Sequence, residues 1–179
     1  MLKKINYLLI LTMISYTFTL VSRYNVFGVE KLITYKTKYF SCTYPANWRK
    51  KERKIDSGIF VELYSPNRKD NFTPNINVNR IKLPKGATVE DYDKYAFPEG
   101  LKTIGGKLIK KDNFIVNGIK AIGYKVEWIQ GKITIHVYQV IIIKNNIAYV
   151  LTCTALPKYY ETNFTEFKKI IDSVKIIGN

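Results

Sequence analysis

The chain has 179 residues, room for one domain behind a leader. A hydrophobic share of 46% with 14% aromatics supplies a packed core and excludes general disorder, a collagen-like repeat and a disulfide-stapled miniprotein. The 29 basic and 14 acidic residues leave a formal charge of +15, which favours an anionic surface or an acidic partner.

Lysine outnumbers arginine 24 to 5. Arginine is the cation whose planar fork reads guanine or phosphate in two places at once, so nucleic acid is not the expected partner. Lys3 and Lys4 precede residues 5–21, which carry no charge and are rich in Leu and Ile. A cationic start followed by such a run is the layout of a secretory signal or a signal anchor. The run sits at the short end of the roughly 17–25 residues that span a bilayer, so cleavage and retention both stay open. Residues 1–22 are read as signal peptide or anchor, 23–38 as a spacer with room for a strand, and 39–177 as the folded domain. The expected location is extracytoplasmic, membrane-anchored or secreted, with the lysines left inside.

Export allows Cys42 and Cys153 to pair. A core of this size needs no staple, so two buried free thiols are the expectation. Tyr39-Phe-Ser-Cys-Thr-Tyr44 alternates like a half-buried strand and Pro45 closes it. A second strand is predicted over 58–64, and a third over 75–81 after the turn-rich 65–71. Thr88 and Asp91 form a capping box that opens a helix with Val89, Tyr92 and Ala96 on one face. Pro98 and Gly100 then end that helix near Phe97 or restart it toward Ile104.

Four β-branched runs follow, at 107–116, 119–129, 132–144 and 147–155. Asn117-Gly118, Gln130-Gly131 and Asn145-Asn146 separate them, and such pairs accept the positive φ that tight hairpins need. The prediction is an antiparallel meander, apolar on both faces at Ile141, Ile142 and Ile143 and therefore covered on both sides. A final helix capped near Thr162 carries Phe164, Phe167, Ile171 and Val174 as its core stripe. Residues 174–177 add an edge strand. The fold class is α+β, an antiparallel sheet sandwiched between helices behind an N-terminal signal or anchor helix.

His136 is the sole histidine and lies mid-strand, where a packed ring is the ordinary role. One histidine and two distant cysteines cannot assemble a zinc site, and neither metal nor cofactor is expected. Glu90, Asp91, Asp93 and Glu99 read as acids favouring a helix start; the other reading is a Ca²⁺ or Mn²⁺ site. Asn75, Asn77 and Asn79 share one strand face, as exposed decoration or as a polar groove. The densest basic run, Arg49, Lys50, Lys51, Arg53 and Lys54, directly follows Trp48 and is expected on an exposed turn between strands. It reads as a solubilising hairpin or as an anion-contacting edge with Trp48 as its apolar neighbour.

Taken in order, the stretches 39–48, 75–79, 117–121, 138–145, 148–155 and 167–176 resemble the PsbP-like family, over 39–177. The resemblance implies an antiparallel sheet between helices and a non-enzymatic role in binding or assembly. The family's metal-binding histidines and acids cannot be matched residue by residue, so no metal ligand is carried over. The expected function is an exported binding or assembly module at the outer face of a membrane, contacting a membrane-protein partner or an anionic polymer or lipid surface. Two other readings stay open. One is a small hydrolase or ligand-modifying enzyme using His136. The other is a divalent-cation-dependent adhesion module using the acids of 90–99.

Overall fold

The computed structural model describes residues 31–55 and 58–177. The expected signal or anchor helix of residues 1–22 lies outside the described residues. Among those described, no helix is long and apolar enough to cross a membrane.

The described residues form ten strands in chain order: β1 (Leu32–Lys36), β2 (Phe40–Pro45), β3 (Arg49–Ile55), β4 (Gly58–Tyr64) and β5 (Asn75–Lys82), then β6 (Lys107–Val116), β7 (Ile119–Gln130), β8 (Ile133–Lys144), β9 (Ile147–Ala155) and β10 (Lys175–Ile176). Seven of them make one antiparallel sheet in the order β3-β4-β5-β9-β8-β7-β6. The predicted meander is its second half, each strand pairing with the next from β6 to β9. Turn chemistry sets that register. Asn117 and Gly118 take φ of 46° and 80°, and Asn145 and Asn146 take 52° and 59°, the mirror-image turn that suits strand twist. In the middle hairpin, β7–β8, Gln130 already pairs with Ile133, so the turn centres on Gly131, at φ 62°, and Lys132. The seam between the two halves is β5 against β9, from Asn75↔Thr154 to Lys82↔Ile147.

Part of the 23–38 spacer belongs with the fold. β1 pairs with β2, β10 pairs with the other side of β2, and Tyr35 is buried. The edge strand expected over 174–177 is β10, and the sheet it edges is a separate three-stranded one.

Helices cover both faces, as expected. On one face lie α1 (Val89–Asp91), a π-helical turn (Tyr92–Ala96) and α2 (Phe97–Ile104). Val89, Tyr92 and Phe97 pack there with Ile122, Val137 and Ile141 of the sheet. Asp91 N–H donates to Thr88 Oγ1 at 3.1 Å and Thr88 N–H donates to Asp91 Oδ2 at 3.0 Å, completing the capping box. Pro98 neither ends nor restarts the helix. Its ring crowds the carbonyl four residues back, and the chain answers by widening the preceding turn so that Phe97 N–H reaches Tyr92 O. Gly105, at φ 64°, stops the helix.

The opposite face carries α3 (Tyr160–Asp172) and the small sheet. Thr162 does not cap α3. A 3₁₀ turn, Pro157–Tyr159, feeds the helix, and Tyr159 stands at its N-cap without a side-chain hydrogen bond. Phe167, Ile170, Ile171 and Val174 are buried against β2 and the large sheet, each contributing about 1.5–3 kcal/mol. Cys42 and Cys153 are free and buried in this same core.

Candidate functional site

The basic run is an edge strand, not a turn. β3 is the first strand of the large sheet, and its seven residues pair with β4 without a register shift, from Arg49↔Tyr64 to Ile55↔Gly58. The turn expectation failed because five cations in six positions argue for exposure, and an edge strand supplies exposure while still hydrogen-bonding along one side. The pleat divides the charges. Arg49 and Lys51 share one face and Lys50 lies on the other. The Arg49 guanidinium sits 4.7 Å over the Tyr64 ring. Lys50 Nζ sits 4.7 Å over Tyr35 and pairs with Glu52. Arg53 and Lys54 continue the strand opposite Phe60 and Ile59. Trp48 is not beside them at the surface. It is only 5% exposed and meets Phe167 edge-on at 6.1 Å, so it anchors the strand entry in the core beneath α3.

His136 lies where β8 passes the start of α3. Its register partner is Glu127, with Nε2 3.5 Å from the carboxylate, and its ring meets Tyr160 edge-on at 5.3 Å. Tyr160 stacks on Phe164, which meets Tyr138 edge-on at 4.8 Å. Lys125 Nζ lies 4.0 Å over Tyr160 and 2.8 Å from Glu161. Burial raises the Tyr138 and Tyr160 hydroxyls above their ordinary range. The ring thus has a carboxylate beside it, but among the described residues no hydroxyl hydrogen-bonds to it. The two thiols supply no nucleophile either: burial pushes Cys42 up to about 12 and Cys153 well above its usual value, and the thiolate is the reactive form.

A polar row on the α1–α2 face was not foreseen. Register aligns Glu62, Asn77, Thr152, Gln139, Tyr124 and Lys111 across six neighbouring strands. The first five are buried. At its far end Asp93 accepts from Tyr124 OH at 3.0 Å and pairs with Lys111. Burial, then Asp93, raises the Tyr124 hydroxyl. Asn75 and Asn77 are therefore buried at 9% and 7%, not strand decoration. Period-two spacing put them on one face; the partners came from long-range register that local sequence does not carry.

Three of the four acids of 90–99 serve the fold. Asp91 caps, Glu90 faces Lys120 at 3.4 Å, and Asp93 closes the polar row. Among the described residues no three potential ligand side chains come together around a metal position.

No protein-family model and no curated protein sequence matches the chain. Solved structures do. Cyanobacterial PsbP (CyanoP) from Synechocystis sp. PCC 6803 superposes with a TM-score of 0.63 at 14% identity, covering 87% of this chain and 98% of that one. The Ran-binding protein Mog1p of Saccharomyces cerevisiae gives 0.58 at 7% identity, over 84% and 97%. LpqN of Mycobacterium tuberculosis, described as involved in cell envelope biogenesis, gives 0.57 at 15% identity, over 83% and 90%. At such identities the likeness concerns architecture, and the chain carries the PsbP-like fold.

Proposed function

We propose that the chain is a non-enzymatic binding and assembly module working outside the cytoplasm, at the outer face of a membrane, where it holds a protein partner or an anionic surface. The observation that carries this reading is the β3 edge, whose outer side no described strand covers and on which arginine and lysine hold five of six successive positions. The leader sequence supports export. The described functions of the structural neighbours support binding: Mog1p is a Ran-binding protein and LpqN belongs to cell envelope biogenesis.

The hydrolase reading has one observation in its favour, the Glu127 carboxylate beside His136. Against it stand the aromatic packing of the ring and two thiols held protonated. A His136→Gln variant is expected to keep its binding.

The test is affinity capture of the tagged full chain from cross-linked membranes and from cytosol, followed by a salt wash series. A partner held in the envelope fraction and released as salt shortens the screening length toward about 3 Å supports the proposal. Recovery of the chain from cytosol alone, or capture indifferent to salt, overturns it.

A further inference from the structure

We propose that the β3 edge is a docking rail for an extended acidic segment of a partner protein, which adds to the large sheet as an eighth strand. The inference rests on the binding reading above and names the chemistry of its partner.

Two edges of the sheet are open among the described residues, β3 and β6. They differ in the features that decide whether another strand can add. β6 breaks register between Leu108 and Lys110, and such a bulge twists an edge out of line with an incoming strand. β3 keeps its register over all seven pairs, so its outer N–H and C=O groups form a regular row about 23 Å long at about 3.3 Å per residue.

Charge then selects the occupant. A small anion or a flat headgroup layer meets one face of a strand, and the pleat sends Lys50 to the face opposite Arg49 and Lys51. An added strand with an acid at every second position sets those acids on one face, beside Arg49 and Lys51. It also adds a backbone ladder along the open row, which neither a small anion nor a headgroup layer can supply. A second copy of this chain is disfavoured, because antiparallel β3–β3 pairing sets cation against cation and each copy carries +15.

The experiment titrates the full chain with a labelled decapeptide alternating Glu and Thr, reading anisotropy and backbone amide shifts of β3. Three comparison probes are the same peptide N-methylated at alternate residues, polyglutamate of equal charge, and anionic phosphatidylglycerol vesicles. Expected are salt-sensitive binding of the Glu-Thr peptide, its loss on N-methylation, and about a tenfold weakening in Arg49→Thr/Lys51→Thr, the fold-change of two lost cross-strand charge pairs. Equal binding of the N-methylated peptide overturns the proposal, since no ladder is then involved, and equal binding of polyglutamate overturns the alternating acidic strand as its occupant. So does binding of vesicles without the peptide, or concentration-dependent self-association through β3. Membrane capture that survives Arg49→Thr/Lys51→Thr refutes the rail while leaving the binding function standing. Loss of capture in every form refutes the function itself.

Discussion

Gly123 lies on β7 directly beneath the Tyr138 ring of β8, and a Cβ added there would stand 2.1 Å from the hydroxyl oxygen and 2.5 Å from Cζ. The ring cannot give way cheaply. It is 3% exposed, and Phe164 meets it edge-on at 4.8 Å. Gly123→Ala therefore forces Tyr138 out of its place. Overpacking of this kind costs about 1–3 kcal/mol, and loss of the aromatic contact adds about 0.5–1.5 kcal/mol. The smaller entropy of the unfolded alanine chain returns about 0.4–1 kcal/mol. The net is about 2 kcal/mol, a fall in Tm of about 4–8 °C for a domain of this size. Calorimetry on a double-mutant cycle with Tyr138→Val isolates the cause. With the ring gone, the alanine is expected to be neutral or slightly stabilising. Gly123→Ala that leaves Tm unchanged, or that costs as much in the Tyr138→Val background as in the parent, would refute the close-approach argument.

Three further outcomes are expected. With Trp128→Phe leaving Trp48 as the one tryptophan of the two, fluorescence is expected to be blue-shifted and protected from iodide, because Trp48 is packed on Phe167; ready quenching would return it to the surface. Burial raises the Cys42 thiol to about 12, so the folded chain keeps a proton that the unfolded chain releases above about pH 8.5. That thiol favours the fold below this pH, and its contribution fades as the pH climbs toward 12. Urea midpoints are accordingly expected to decline on the alkaline side, less steeply in Cys42→Ala than in the parent. Thr88→Ala is expected to lose the N-cap and about 1 kcal/mol, with faster amide exchange over 89–104. Because Thr88 holds the Asp91 carboxyl below its usual range, the gap between parent and variant should close as the solution is acidified through that range.

The meander is legible because its signals are local. Asn117-Gly118 and Asn145-Asn146 accept the positive φ that a tight hairpin requires, and β-branched runs on either side leave little choice of register. The capping box at Thr88 is legible for the same reason. Local signals mislead where a long-range contact outweighs them. Arg49 to Lys54 read as a turn because nothing nearby in sequence shows that β4 will pair with it. Trp48 reads as the apolar neighbour of a charged edge, although it packs on Phe167, more than a hundred residues on. Thr162 has the side chain of a cap, but Pro157 starts the coil earlier through a 3₁₀ turn. The polar row needs the β5–β9 register, which no periodicity encodes.

That seam also bears on how the chain folds. Each half of the large sheet closes through connections near in sequence, the later half through two-residue turns, so both are assembled at little entropic cost. Joining residues 75–82 to 147–154 closes a far longer loop, and only once the later hairpins exist is there a finished edge at β9 to receive β5. Zippering at the seam is thus the slow event. Truncating Val78 or Leu151, both buried there, should change the rate of that step far more than truncating side chains at the hairpin turns.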